Sequence, residues 1–223
     1  MRIVVVGKYK KDVEKEIPKF GLEFSKHPEI VVSYGGDGTI LEAERKFPGI
    51  PKIFIKHSEV CINCRHTNYR NVLKRLQKRK FKIIKQIKVE GLVNGKKLIG
   101  LNEINIVSSK PIYAIRFDAY VNGRLIGRNM IGDGILVSTP FGSRAYFYSI
   151  TRKSFKKGLG IAFNNLRKRM KPMVVNENSI IKVKILRDGG FMISDNNPKS
   201  VKLYAGDEVT IKKSKQLAKI VKL

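Results

Sequence analysis

Residues 29–47 read EIVVSYGGDGTILEAERKF, and their order decides the fold. Residues 29–34 are branched and aromatic with little polar interruption, which fits a strand buried on both faces. They run straight into Gly35-Gly36-Asp37-Gly38-Thr39. Ile40, Leu41 and Ala43 then suit a helix over 40–47 that stops at Pro48-Gly49. Strand, glycine turn and helix in this order are the opening of an α/β unit.

The surroundings continue that pattern. Residues 2–7 (RIVVVG) and 52–55 (KIFI) read as further buried strands, and 11–20 as a short charged helix. Over 68–80, Val72, Leu73 and Leu76 make one helical stripe, with Asn68 or Asn71 available as cap. Near residue 81 the character changes. Residues 82–89 and 97–101 flank Asn94-Gly95, and 115–121 and 124–127 flank Asn122-Gly123, two strong hairpin signals. Short strands are predicted at 135–138, 180–186, 190–194 and 208–213. The basic stretch 151–172 is poorly periodic and reads as loop with a short helix at most. No fixed-period repeat is present.

The 223 residues, 42% hydrophobic and 29% charged, are enough for a core that buries roughly 70% of the unfolded surface. No apolar run approaches the length of a membrane span. MRIVVVGKYKKD reads as a first strand rather than a signal peptide. Two cysteines are too few for a disulfide scaffold and fit a reducing cytoplasm. The net charge of +28 draws polyanions, whether nucleic acid, anionic lipid or polyphosphorylated small molecules. A lysine-rich surface suited to a hot environment gives the same number, so charge alone selects no partner.

Chemistry concentrates in three places. In residues 35–39, glycines let the backbone approach a phosphate, and the following helix start favours negative charge. Asp37 is out of place in a pure phosphate cradle. It fits a proton acceptor for an attacking hydroxyl or a metal ligand, or else a helix-capping turn residue. The second place is Gly132-Asp133-Gly134 followed by Ile135-Leu136-Val137-Ser138-Thr139-Pro140-Phe141-Gly142-Ser143-Arg144-Ala145-Tyr146, and the third is Asn102-Glu103. Cys61 and Cys64 with His57 and His66 invite a zinc reading. His66 lies too close to Cys64 for easy joint ligation, so ordinary buried thiols in a polar loop are expected, and no metal-ligating residue is assigned. The basic runs, including Arg152-Lys153 and residues 167–169, read as solvated faces or as a rim that neutralises phosphates. Nucleic acid is disfavoured, because it needs aromatics interleaved with basics on one surface, which Arg144, Tyr146, Phe147, Tyr148 and Arg152 mimic only locally.

Taken together, the three pieces resemble the NAD kinase family, in order and spacing, from about residue 29 to 213. GGDGT alone is shared with lipid kinases and some phosphofructokinases; the Asn-Glu pair and the 132–146 stretch make the resemblance specific. It implies a Rossmann-like α/β domain over residues 1–81 carrying GGDGT and a β-rich, β-sandwich domain over 82–223, with the active site between them. It implies phosphorylation of the 2′-hydroxyl of the adenosine ribose of NAD by ATP or polyphosphate, with Mg²⁺ or another divalent cation at the donor phosphates. It further implies a cytoplasmic homo-oligomer, dimer or tetramer.

By match to the motif, Asp37 would accept the proton, with Gly35, Gly36, Gly38 and Thr39 on the phosphate side and Gly38 beside the NAD. Asn102 and Glu103 would hold the adenosine half. Asp133 would meet the nicotinamide side or a neighbouring subunit. Thr139, Gly142, Ser143, Arg144, Ala145, Tyr146 and Ser149 would line the nucleotide pocket. The chain departs from the family pattern at Phe141 and Arg144, which replace threonines, and over 147–153. It departs again at 55–66 and at Ser194-Asp195-Asn196-Asn197. Two other readings use the same residues: a GGDGT-type lipid kinase reaching anionic membrane, and a non-catalytic homologue that binds dinucleotides or polyanions.

Overall fold

The branched runs become parallel strands. In the computed structural model, which describes residues 1–223, β1 (Arg2–Val6), β2 (Glu23–Phe24), β3 (Ile30–Gly35) and β4 (Lys52–Lys56) form a parallel sheet in the order β2-β1-β3-β4. Register places Ile3 opposite Ile30 and Ile53 opposite Val32. Helices α1 (Lys10–Glu14), α2 (Asp37–Lys46) and α3 (Tyr69–Gln77) connect or follow these strands. Asn68 caps α3 by accepting the Asn71 N–H at 3.2 Å, and Val72, Leu73 and Leu76 bury the expected stripe against Ile3, Val32 and Ile55. On α2, buried Glu44 meets buried Lys52 at 2.7 Å, and the ammonium also donates to Phe47 O and Ile50 O at 2.6 Å each.

The remaining strands are β5 (Lys82–Val93), β6 (Lys96–Gly100), β7 (Glu103–Ser108), β8 (Ile115–Val121), β9 (Arg124–Gly132), β10 (Gly134–Ser138), β11 (Leu159–Asn164), β12 (Met173–Val175), β13 (Ile181–Arg187), β14 (Gly190–Ser194), β15 (Val201–Leu203) and β16 (Glu208–Lys222). Both predicted hairpins form. Asn94 and Gly95 (φ 48° and 73°) join β5 to β6, and Asn122 and Gly123 (φ 50° and 82°) join β8 to β9. Two successive positive φ values are what the twist of a two-residue hairpin needs. One antiparallel sheet has the order β12-β11-β10-β7-β14-β15; β16, β13, β8 and β9 are neighbours in the other. Ile104, Ile106, Val137, Ile161 and Met192 of the first pack on Phe117, Ile181 and Val183 of the second, giving the sandwich core. Each such side chain contributes about 1.5–3 kcal/mol of transfer free energy.

The chain divides into two units, Met1–Gln86 with Leu217–Leu223, and Ile87–Gln216. This differs from the division at residue 81 read from the sequence. β16 is one continuous strand of 15 residues; its first part pairs with β13, and Ile220 near its end pairs in parallel with Lys52 of β4. Val221 thereby joins the core of the first unit. The stretch 151–172 also differs from expectation. It contains β11, which pairs with both β10 and β12. Leu159, Ile161 and Phe163 alternate inward, a pattern too short to stand out between flanking lysines and arginines. A helix not read from the sequence, α4 (Tyr146–Thr151), packs Phe147 and Ile150 on Leu136 and Ala162.

Candidate functional site

The GGDGT segment is tighter than a free loop. Gly35 ends β3, Gly36 caps α2 in an extended conformation, and Asp37, Gly38 and Thr39 already form the first helical turn. The helix therefore starts three residues earlier than the sequence pattern suggested. An acid in a first turn is favoured by the helix dipole. The half-buried Asp37 is held by the segment after β4. Its Oδ2 accepts the Ile62 N–H at 2.7 Å, and its Oδ1 accepts the Asn63 N–H at 3.1 Å and Asn63 Nδ2 at 3.0 Å.

That segment folds back by its own bonds. Lys56 N–H donates to His66 O at 2.7 Å, His57 N–H to Gly35 O at 3.0 Å, and Ser58 Oγ to Val60 O at 2.6 Å. A Cβ on Gly36 would stand 2.8 Å from Ser58 Oγ and 3.2 Å from Val60 O, so glycine is what admits this approach. Cys61 and Cys64 are not the free buried thiols expected. They are bonded to each other, with Cα atoms 5.4 Å apart, and both are partly exposed. Two cysteines three apart in a tight turn face each other, which separation in sequence alone does not reveal.

The second unit gathers the other residues. Asn102 and Glu103 are buried. The backbone N–H groups of Leu101, Asn102 and Glu103 all donate to the Asp195 carboxylate, at 2.7, 2.8 and 3.1 Å. Asn102 Oδ1 and Glu103 Oε2 find no hydrogen-bond partner in the protein. A buried acceptor without a donor is costly, so these two atoms are available to a ligand. Burial, and secondarily the Asp195 charge, pushes the Glu103 carboxyl up to about 8. It is therefore protonated at neutral pH and can donate as well as accept. Burial also raises Asp195, against the pull of its three N–H donors.

Residues 139–149 support this pair. Thr139 is fully buried; its Oγ1 donates to Leu101 O at 2.6 Å and accepts the Gly142 N–H at 3.2 Å. Gly142 lies so close to Asn102 that a Cβ would stand 2.5 Å from its Cα. Buried Ser143 donates to Pro140 O and Phe155 O at 2.9 and 3.1 Å. The Thr139 and Ser143 hydroxyls are thus occupied within the fold and shape the loop. Tyr146 is 37% exposed and its hydroxyl accepts Asn164 Nδ2 at 2.9 Å. Burial first, and then the charges of Asp133 and Glu103, raise its pKa. Asp133 accepts Asn165 Nδ2 at 3.2 Å. Arg144 and Ser149 are exposed, and Ala145 is the residue before α4.

Comparison with known proteins finds the family of this chain. A family model described as the ATP-NAD kinase C-terminal domain matches residues 101–223. The chain belongs to the NAD kinase family. It is 31% identical over 208 residues to the NAD kinase of Sulfurisphaera tokodaii, covering 87% of this chain and 81% of that protein. It is 31% identical over 206 residues to the bifunctional NADP phosphatase/NAD kinase of Methanococcus maripaludis, spanning 86% of this chain but 36% of that protein. Its fold matches the crystal structure of an NAD kinase from Archaeoglobus fulgidus in complex with ATP, with a TM-score of 0.85 and 25% identity over 100% of this chain and 94% of that one.

Against the NAD kinase pattern, four contributors went unread in the sequence. Asp195 lay in view within Ser194-Asp195, but the following asparagines disguised it as a broken motif. Asn164 was hidden in the stretch expected to be loop. Ile62 carried no signal, because a backbone donor has none, and Asn63, which donates through both its N–H and its Nδ2, stood in a loop that carries no motif. No helix is long and apolar enough to cross a membrane.

Proposed function

We propose that Asn102 and Glu103 bind the adenosine half of NAD while Asp37 takes the proton from its 2′-hydroxyl as a phosphoryl group arrives. The chain is an NAD kinase-family phosphotransferase; the assignment of roles rests on one observation above all. Two adjacent buried side chains, braced from behind by Asp195, keep Asn102 Oδ1 and Glu103 Oε2 unpartnered. An adenosine offers matching donors in its exocyclic amine and ribose hydroxyls, and ring nitrogens that can accept from the protonated Glu103. Tyr146, tied to Asn164, would add a ring contact to the adenosine.

Asp37 is suited to its role by orientation. Three N–H donors fix its carboxylate while leaving it half-buried, and a fixed base near the attacking hydroxyl typically contributes 10²- to 10⁴-fold. The first turn of α2 offers N–H groups and a favourable dipole to donor phosphates. ATP as donor is supported by the relative solved with ATP; polyphosphate fits the same +28 charge. The divalent cation implied by the family does not find a protein-built cage. No three His, Cys, Asp or Glu side chains cluster to hold a metal, and the Asp37 oxygens already accept three N–H bonds. A Mg²⁺ ion arriving with a nucleotide is ligated chiefly by phosphate oxygens and water. A cytoplasmic homo-oligomer belongs to the same reading.

The test pairs NADP formation from NAD and ATP with binding of labelled NAD. Asp37→Asn should lower turnover at least 10²-fold and leave NAD binding within about twofold. Binding without turnover in the parent protein would favour the non-catalytic homologue. Turnover with diacylglycerol and none with NAD would favour the lipid kinase.

A further inference from the structure

The two residues that grip Asp37 are the two residues between the cysteines. Ile62 and Asn63 supply every hydrogen bond that the Asp37 carboxylate is seen to accept, and Cys61 and Cys64 close the turn around them. The same turn touches the motif a second time, because Cys64 Sγ lies 3.7 Å from Gly35 O. A disulfide sulfur has no proton to donate, so this is contact rather than a hydrogen bond. These are the only cysteines in the chain.

As a structural brace the bond is poorly placed. Closing a four-residue turn restrains the unfolded chain less than closing a long loop. As a reactive centre it is well placed. Cys-x-x-C spacing is the redox-active spacing of small dithiol proteins. Both sulfur-bearing residues are partly exposed, Val60 and Ile62 beside them are 72% and 41% exposed, and Arg65 follows Cys64 directly. In a reducing compartment, disulfides that form are chiefly transient and redox-sensing.

We infer that Cys61 and Cys64 are a reversible dithiol–disulfide centre that sets turnover by controlling how Ile62 and Asn63 hold Asp37. The inference rests on Asp37 acting as proton acceptor. The reductant is a small dithiol. Its thiolate attacks one sulfur of the pair, the Cys61–Cys64 bond breaks, and a mixed disulfide forms. The second thiol of the reductant then displaces the protein sulfur and leaves as a cyclic disulfide. Two electrons and two protons pass to the protein, giving two thiols. Freed from the bond, the turn samples more conformations, and its N–H groups leave the carboxylate for part of the time. Asn63 is then a positioning residue and the disulfide its clamp.

The experiment measures initial rates of NADP formation by the full chain, oxidised with a small disulfide or reduced with dithiothreitol, while a chromogenic thiol reagent counts free thiols. The expected result is no free thiol when oxidised, two when reduced, and a roughly tenfold lower kcat on reduction. KM for NAD should stay within about twofold, and re-oxidation should restore the rate. Asn63→Ala should keep the disulfide yet lower kcat, and the Cys61→Ser/Cys64→Ser double variant should have the low rate under both conditions. Equal kcat in the two redox states with thiol counts of none and two would overturn the inference, as would two free thiols after oxidant. Asp37→Asn, run in both states, separates the two ideas. If it retains turnover, the proton-acceptor reading fails; if it is inactive while the parent ignores redox state, only the present inference fails.

Discussion

Glu103→Gln replaces a buried carboxyl by an amide of nearly the same shape, and its effect should depend on pH in a definite direction. Glu103 is 8% exposed, and burial followed by the Asp195 charge lifts its pKa from 4.5 to about 8. A carboxyl whose folded-state pKa lies above the unfolded one stabilises the fold fully below pH 4.5. That contribution is lost progressively as pH rises through 8. Each pKa unit corresponds to ~1.4 kcal/mol, so the interval sets a ceiling near 5 kcal/mol. Water entry and local relaxation reduce it to about 2–3 kcal/mol. The glutamine variant cannot pay this ionisation cost. Compared with the parent, it should therefore gain roughly 5–10 °C in thermal midpoint at pH 9 relative to pH 5, at about 2–4 °C per kcal/mol for a chain of this size. Thermal unfolding of both proteins at pH 5, 7 and 9 reads this directly. Labelled NAD supplies the functional half: parent affinity should fall by about tenfold per pH unit above 8, as the ionised acid ceases to donate, and the variant should stay flat. Parallel stability curves for parent and variant from pH 5 to 9 would refute the reasoning and leave Glu103 an ordinary ionised carboxylate.

Other outcomes follow from single contacts. Asn102→Ala should raise KM for NAD by about tenfold, the worth of a buried hydrogen bond, with KM for ATP within twofold; steady-state kinetics with each substrate varied decides it. Gly142→Ala should lower the thermal midpoint, because its Cβ meets the Asn102 backbone and overpacking typically costs about 1–3 kcal/mol. The same displacement should weaken NAD binding. Lys52→Ala should destabilise by about 3–5 kcal/mol in urea unfolding, since it leaves the buried Glu44 without its cation. Lys52→Met combined with Glu44→Leu should recover most of that loss, and failure to recover would show that the backbone bonds to Phe47 and Ile50, rather than the ion pair, carry the effect.

Local chemistry was enough to read much of this molecule. The branched runs at 2–7 and 29–34 read as buried parallel strands, and Asn-Gly at 94–95 and 122–123 as hairpin turns, because backbone preference and side-chain period act over a few residues. GGDGT, Asn102-Glu103 and the 132–146 stretch were legible as one family's pattern, because each is a contiguous run whose order and spacing stand in the sequence itself. What the sequence could not state were relations between distant residues. β11 forms because β10 and β12 lie on either side of it, and its three inward residues acquire meaning only when a core is present to receive them. Asp195 becomes the brace of Asn102 and Glu103 only when β14 lies beside β7, bringing together residues more than 90 positions apart. Cys61 and Cys64 looked like two unremarkable thiols until the turn after β4 folded onto α2, where their bond encloses the donors to Asp37. Hydrogen bonding by main-chain N–H groups leaves no mark on residue identity, and five of the six donors that orient the two carboxylates are of that kind, so only the tertiary structure decided them.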